Sequence, residues 1–154
     1  MIQALKLLGV LAVIGFGSNF SAKAQQRPDM YVVMFRADWC APCKIVEPNL
    51  QEALNTLADP SIQYINIDVT DSFRSERSAH MAFDAAISSQ YNQWYGLTGF
   101  AAMIDADTKN TLGCVNIIYD ANTMAKHIKN LKSYALANQS NVDITCPAPI
   151  RVGK

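Results

Sequence analysis

Two cysteines separated by two residues constrain this chain more than any other feature of its sequence. The residues that surround the pair are, in order, Trp39, Cys40, Ala41, Pro42, Cys43 and Lys44. Before them, residues 31–35 are β-branched and aromatic enough to predict a buried strand. After them, apolar residues recur at helical spacing. The pattern therefore predicts a dithiol at a strand-to-helix junction, which indicates redox chemistry.

The predicted helix begins at Cys40, so this cysteine should lie at the positive end of the helix dipole, beside backbone N–H groups that have no partner. Both features favour the thiolate over the thiol. We therefore expect Cys40 to be the nucleophile. Cys43 lies one helical turn further on, where its sulfur can resolve a mixed disulfide.

Length and charge limit the classes of protein that this chain can represent. The 154 residues fit a single domain, and half of them are apolar, which is enough for a real core. Lys and Arg total 13, and Asp and Glu also total 13, so no basic surplus points to nucleic acid. We expect no nucleic-acid partner.

Residues 1–24 have the pattern of a secretory signal peptide. Lys6 supplies positive charge, residues 7–16 form a short apolar run, and Ala22-Lys23-Ala24 is a small-x-small cleavage signal before Gln25. The alternative is an uncleaved anchor, but the run is short against the roughly 20 apolar residues that a spanning helix needs. The sequence predicts a periplasmic or secreted domain, residues 25–154, with no stable membrane insertion after cleavage.

The remaining elements alternate between strands and helices. We predict strands at 30–36, 62–68, 100–105 and 112–119. A helix should follow the cysteine pair, with a kink near residues 45–46 caused by Pro48 and an end near residues 58–60. Two more helices are predicted at 75–95 and at 123–137, and a tail at 138–154. The inner, apolar face of the predicted helix at 75–95 consists of six residues that recur at helical spacing: Ala79, Phe83, Ala86, Ile87, Tyr91 and Trp94. This order predicts an α/β fold, with a mixed central sheet of about four strands and helices on both faces.

With this order in hand, the chain resembles the thioredoxin family over most of residues 30–137. The resemblance rests on residues 37–44, on Pro48 in the following helix, on Asn66-Ile67-Asp68 and on the run 95–100. It implies a thioredoxin-like fold and a disulfide oxidoreductase of the exported kind, which attacks through Cys40 and resolves through Cys43. Its partners would be protein thiols or disulfides and a redox partner protein, and it would need no cofactor.

Three departures from the family pattern affect the surroundings of the dithiol. Ala101 stands where the family has a cis-proline, so the Phe100–Ala101 bond is expected to be trans. Two outcomes remain open for the substrate loop: it is reshaped, with Phe100 able to crowd it, or it keeps the path that it has in the family. Met34 and Tyr64 replace the family's buried acid and its lysine partner, which leaves water or Glu47 to deprotonate Cys43. The segment 68–96 is longer than its family counterpart by somewhat more than a dozen residues.

The other two cysteines, Cys114 and Cys146, are expected to form a structural disulfide in an oxidising compartment. Two alternatives remain open: a second redox pair that relays electrons to Cys40 and Cys43, and a four-cysteine zinc site. His80 and His127 have no ligand-like neighbour at helical spacing and are expected to be surface residues. A different functional class also remains open, a binding or metal-handling module that holds copper or an iron–sulfur cluster and retains only vestigial exchange.

Overall fold

A computed structural model describes residues 27–138 and Cys146. Its strands are β1 (Met30–Arg36), β2 (Ile62–Asp68), β3 (Phe100–Asp105) and β4 (Thr111–Asn116), and its helices are α1 (Cys43–Leu57), α2 (Ser72–Asp84), α3 (Ser88–Gln93) and α4 (Ala121–Asn138). The strands form one sheet in the order β2-β1-β3-β4. β1 is parallel to β2 and antiparallel to β3, and β3 and β4 form an antiparallel hairpin. The predicted α/β class and four-strand mixed sheet are confirmed.

Alternation along β1 divides the core between the two faces of the sheet, since successive strand residues point to opposite sides. Val32 and Met34 pack with the buried residues of α1 and α4, among them Leu50. Val33 and Phe35 pack on the other face with buried residues from 82 to 94. Helices therefore cover both faces, and the central strand β1 leads from this core to the cysteine pair.

The predicted helix at 75–95 is wrong as a single element. α2 ends at Asp84, and α3 begins at Ser88 after a break in which Ala86 takes a left-handed conformation with φ 56°. The break redirects the chain so that Ile87 and Trp94 become buried. Phe83, predicted on the inner face, is instead 74% exposed. The buried face of α2 is formed by the small residues Ser75, Ser78 and Ala82.

A further boundary differs from the prediction. β4 ends at Asn116 rather than at residue 119, because the Asn116 side chain and carbonyl accept the N–H groups of Ile118 and Tyr119 and turn the chain out of the sheet. α1 continues through Pro48 and ends at Leu57, with Ala58 in the left-handed conformation. The predicted signal peptide 1–24 lies outside the described residues, as does the tail except for Cys146. In the part of the chain described, no helix is long and apolar enough to cross a membrane.

A cluster around Lys132 ties α4 to the starts of β1 and β2. The Lys132 ammonium lies 2.7 Å from Asp59 Oδ2 and 3.1 Å from Asp29 Oδ2, and it also donates to the Ser61 hydroxyl. Hydrogen bonds from Lys132 and Ser61 lower the pKa of Asp59 from 3.8 to about 2. Folding therefore favours the ionised form of Asp59 over the protonated form.

This pKa shift predicts one part of the acid sensitivity of the fold. Because the pKa of Asp59 is lowered on folding, its contribution is present above pH 3.8 and is lost as the pH falls toward 2. Asp59→Asn should reduce the slope of stability against pH over that window, with stability measured as the urea midpoint at successive pH values. Asp107→Asn, at an exposed carboxylate, is the control and should leave the slope unchanged. An unchanged slope for Asp59→Asn would contradict the prediction.

Candidate active site

The cysteine pair forms a disulfide at the N-terminus of α1, with the two Cα atoms 5.4 Å apart. The helix begins at Cys43, with Pro42 as its N-cap, so Cys40 lies three residues before the first helical residue rather than at the helix start as predicted. The Cys43 N–H donates to Cys40 Sγ at 3.2 Å. This amide is one of the first-turn donors that have no helical acceptor. The sulfur of Cys40 thus acts as the side-chain acceptor at the helix N-terminus.

The two sulfurs are both shielded, but not equally. Cys40 is 4% exposed and Cys43 is 1% exposed. The four residues that flank and separate them are exposed: Trp39, Ala41, Pro42 and Lys44. Trp39 is 62% exposed, and its indole N–H donates to the Thr70 carbonyl at 3.4 Å. The motif therefore presents an exposed rim around a nearly buried disulfide.

The interior side of the disulfide is formed by backbone and apolar groups. Cys43 Sγ lies 3.9 Å from the Phe35 carbonyl oxygen, which a reduced Cys43 thiol could use as an acceptor. Met34 is fully buried in the same core cluster as both cysteines. Tyr64 packs at the edge of that cluster, and burial raises the pKa of its phenol.

Gly99 lies directly against the disulfide, a position that was not predicted from the sequence. Its φ is +90°, and a Cβ at this position would lie 2.8 Å from Pro42 Cβ and 3.5 Å from Cys40 Sγ. Its N–H donates to the Phe35 carbonyl at 2.9 Å, which ties the loop before β3 to the end of β1. Two glycines near the start of a strand were the available signal, but sequence alone does not show which one approaches the cysteines.

The Phe100–Ala101 peptide bond is trans, in agreement with the expectation from sequence. Phe100 does not crowd the dithiol. Its ring stacks on Phe35 at a centroid distance of 4.9 Å and meets Trp94 edge-on at 5.6 Å, on the opposite face of the sheet from the cysteines. Ala101, one residue later, points to the face that holds Cys40 and Cys43 because strand side chains alternate.

A network of charged groups lies beside the motif and is centred on Arg36, the last residue of β1. Its guanidinium contacts three carboxylates: Asp68 and Glu47 at 2.6 Å each, and Asp38 at 2.8 Å. Burial alone would lower the pKa of Arg36, but its hydrogen bond to Asp38 and the nearby acidic charges raise it above the ordinary value. Burial would raise the pKa of Asp68, but hydrogen bonds from Thr70 and the charge of Arg36 lower it.

This network corrects the expected role of Glu47. Its carboxylate is not an unpaired base available to Cys43, since Oε1 lies 2.6 Å from Arg36 Nε.

Replacing Arg36 should leave three carboxylates close together without their common cation. We expect Arg36→Met to lower the free energy of unfolding at neutral pH by about 2 kcal/mol, a value between those of exposed and buried ion pairs. The loss should shrink in acid, where the carboxylates become protonated. Urea denaturation at pH 7 and pH 3 tests this, with Lys129→Met, at an exposed cation, as the control. Equal losses for the two variants would contradict the assigned role.

The second pair of cysteines, Cys114 and Cys146, is also joined by a disulfide, with the Cα atoms 4.7 Å apart. Cys114 lies in β4 and packs with Trp94 and Phe100, on the face opposite Cys40 and Cys43. The sheet therefore separates the two disulfides, which disfavours a direct relay between them.

The two histidines differ in their environments. His80 is exposed, as expected. His127 is only partly exposed, because its ring stacks on Tyr119 at 5.5 Å and its Nε2 is buried without a hydrogen-bond partner among the described residues. Burial lowers the pKa of His127. Within residues 27–138 and Cys146, no three His, Cys, Asp or Glu side chains are grouped as a metal site would require.

The fold and the site together define the class of this domain: a parallel β1-α1-β2 unit, an antiparallel hairpin and a covering helix, with a Cys-x-x-Cys disulfide between the first strand and the first helix. This is the thioredoxin fold.

Comparison with known proteins agrees with that class. The family model named Thioredoxin matches residues 13–84, just under half of the chain. Thioredoxin-1 of Schizosaccharomyces pombe is 31% identical over 51 residues, which are 33% of this chain and 50% of that protein. Thioredoxin C-2 of Corynebacterium nephridii is 38% identical over 52 residues, 34% of this chain and 47% of that protein. The part of this chain that holds the Cys40–Cys43 pair is thus similar to thioredoxins, and the chain spans about half the length of the curated relatives that it matches.

Two solved structures match this chain over more than two thirds of its length. A thiol:disulfide interchange protein of the thioredoxin family from Chlorobium tepidum has 20% identity and a TM-score of 0.47, over 68% of this chain and 80% of that one. A thioredoxin from Malassezia sympodialis has 16% identity and a TM-score of 0.44, over 70% and 81% of the two chains.

Proposed function

We propose that this protein is an exported thiol–disulfide oxidoreductase that acts on protein substrates, with Cys40 as the nucleophile and Cys43 as the resolving thiol. The observation that carries the proposal is the hydrogen bond from the Cys43 N–H to Cys40 Sγ at 3.2 Å. A donor at a helix N-terminus stabilises negative charge on the sulfur that accepts from it. Cys40 is also the more exposed of the two cysteines.

In the reductive direction, the Cys40 thiolate attacks a substrate disulfide, forms a mixed disulfide and releases one substrate thiolate, which takes up a proton. Cys43 then loses its proton and attacks Cys40 Sγ. The second substrate sulfur leaves as a thiol, and the Cys40–Cys43 disulfide remains. The substrate has then gained two electrons and two protons. A redox partner protein must supply the same number to reduce the Cys40–Cys43 disulfide again. The oxidative direction is the reverse of these steps.

Exposed apolar side chains beside the motif support a polypeptide substrate. Trp39 and Ile45 flank the cysteines and are exposed. Ile117 and Ile118 follow β4 at the end of the sheet where Phe100 pairs with Asn116, which is the end that carries the disulfide. Ile118 is 83% exposed. Apolar side chains gathered at one end of a domain mark a surface for another protein.

Export is supported by the charge, the apolar run and the cleavage signal of residues 1–24. A structural disulfide such as Cys114–Cys146 also persists in oxidising compartments. When the full chain is expressed in a Gram-negative host, the protein should be found in the periplasmic fraction. Its mass should be that of a chain that begins at Gln25. Recovery of the intact chain in the membrane fraction would contradict export.

The activity is tested by insulin reduction with dithiothreitol as the electron source. The purified protein should shorten the time to insulin precipitation, because it transfers electrons from dithiothreitol to the insulin disulfides. The control is the same protein after reduction and alkylation with iodoacetamide, which should be inert. Equal precipitation times with and without the unmodified protein would overturn the proposed activity.

A further inference from the structure

β2 forms an outer edge of the sheet in the described part of the chain. Its pairing with β1 is anchored at both ends, by the Met30 N–H to the Ser61 carbonyl at 3.3 Å and by the Val69 N–H to the Arg36 carbonyl at 3.0 Å. In a parallel pair, alternate residues bond to the neighbouring strand. The odd residues of β2 therefore face β1, and the even residues direct their backbone groups outward.

Three of these eight outward groups are satisfied at the two ends of the strand. At one end, the Ile62 N–H donates to the Asp59 carbonyl at 3.1 Å. At the other, the Ser78 hydroxyl accepts from the Asp68 N–H at 2.8 Å and donates to the Asp68 carbonyl at 2.9 Å. Between them, no described residue pairs with the outward N–H and C=O groups of Tyr64 and Asn66. Asn66 Oδ1 is also buried without a partner.

Two adjoining grooves run along this open stretch, with volumes of about 310 and 240 Å³, and both are lined by Asn66 and Met81. Strands at a sheet edge are commonly protected from pairing by lysine, proline or a bulge. β2 has the sequence IQYINID, which contains neither lysine nor proline, and its register with β1 is regular. The middle of this edge therefore lacks these three protections.

We propose that the β2 edge is an interface between two copies of this chain, in which the two β2 strands pair antiparallel about a two-fold axis at Ile65. In this register Tyr64 of one copy lies opposite Asn66 of the other, and the two residues exchange both backbone hydrogen bonds. The symmetry repeats the exchange, so four hydrogen bonds satisfy the outward backbone groups of Tyr64 and Asn66 in both copies. The result is one continuous eight-stranded sheet.

The charges that line the grooves favour a second copy over an unrelated peptide. Arg77 lines the groove at the Asp68 end of β2, and Asp84 lines it at the Gln63 end. Both side chains are exposed, and neither forms an ion pair with another described residue. An antiparallel two-fold arrangement brings Arg77 of each copy toward Asp84 of the other. The surface is thus complementary to itself in charge as well as in hydrogen bonding.

The test is the oligomeric state of the purified protein, measured by sedimentation velocity from about 1 µM to 1 mM, a range suited to a weak dimer. We expect a reversible monomer–dimer equilibrium. Arg77→Asp should weaken the dimer by about tenfold, because two symmetric attractions become repulsions. Asp84→Arg should act similarly, and the double variant Arg77→Asp/Asp84→Arg should recover dimerisation. The rate of insulin reduction should be unchanged in all three variants, since neither residue contacts the dithiol.

Hydrogen exchange locates the interface within the same samples. The amides of Tyr64 and Asn66 should gain protection as the concentration rises, while the amide of Ile65, which faces β1, should be protected throughout. A protein that stays monomeric over the whole range would overturn the proposal. So would a double variant that fails to recover dimerisation, or a dimer in which these two amides stay unprotected. Protection of both amides in a monomer would show that another segment of the chain covers the edge, and would also overturn it.

Discussion

Cys40→Ser should reduce catalysis of insulin reduction by about 100-fold or more, to the rate of dithiothreitol alone, because it removes the sulfur that attacks the substrate. Cys43→Ser should behave differently. It keeps the nucleophile, removes the resolving thiol and should accumulate a mixed disulfide with the substrate. Non-reducing electrophoresis and mass spectrometry of the protein–insulin adduct measure this difference.

The two serine variants are matched controls for each other. Each lacks the Cys40–Cys43 disulfide, so any loss of folding stability from the missing bond is shared between them. A difference in trapping then reports the roles of the two sulfurs and not the state of the fold. If Cys40→Ser trapped the substrate and Cys43→Ser did not, the roles proposed from the hydrogen bond between Cys43 N–H and Cys40 Sγ would be reversed.

Gly99→Ala should have the second largest effect. The new methyl group would lie 2.8 Å from Pro42 Cβ, and the φ of +90° is one that alanine rarely adopts. Both features are costly, and the contact is with Pro42, one of the two residues between the cysteines. We expect a loss of about 2–4 kcal/mol in the free energy of unfolding, from overpacking and backbone strain together. Exchange activity should fall as well, because the clash displaces Pro42 and with it the disulfide.

Gly96→Ala separates the two causes of this effect. Gly96 also has a positive φ, 83°, but it lies on an exposed part of the chain. It should therefore show only the backbone cost, about 1 kcal/mol, with exchange activity retained. Guanidinium denaturation and the insulin assay are measured on both variants. Equal losses of stability and activity at the two positions would contradict the close packing of Gly99 against the dithiol.

Strong local patterns made much of the fold predictable. β1, β2 and β3 lie where β-branched residues and alternation indicated them, since these signals are local in the chain. The helix predicted at 75–95 failed because apolar spacing continued through a break that only tertiary contacts reveal. Burial of Ile87 and Trp94 beneath the sheet required a left-handed residue at Ala86, and no glycine marked that position.

The surroundings of the site were harder to predict for the same reason. Arg36 ends β1 and Glu47 lies in α1, so their ion pair depends on how the helix packs against the strand and could not be predicted from the spacing of the motif. The exposure of Phe83 and the burial of His127 likewise depend on how α2 and α4 rotate against the sheet.

The sequence by itself determined the strand-to-helix dithiol, because the spacing of Cys40 and Cys43 and the apolar runs on either side are local properties of the chain. Tertiary structure decided which groups meet that dithiol. Gly99 packs directly against Pro42 and Cys40. The Phe100 side chain lies on the face of the sheet opposite the cysteines, and Arg36 forms an ion pair with Glu47. It also decided that β2 lies at an edge of the described sheet. Contacts between residues distant in sequence follow from how the elements pack, and packing depends on the whole chain.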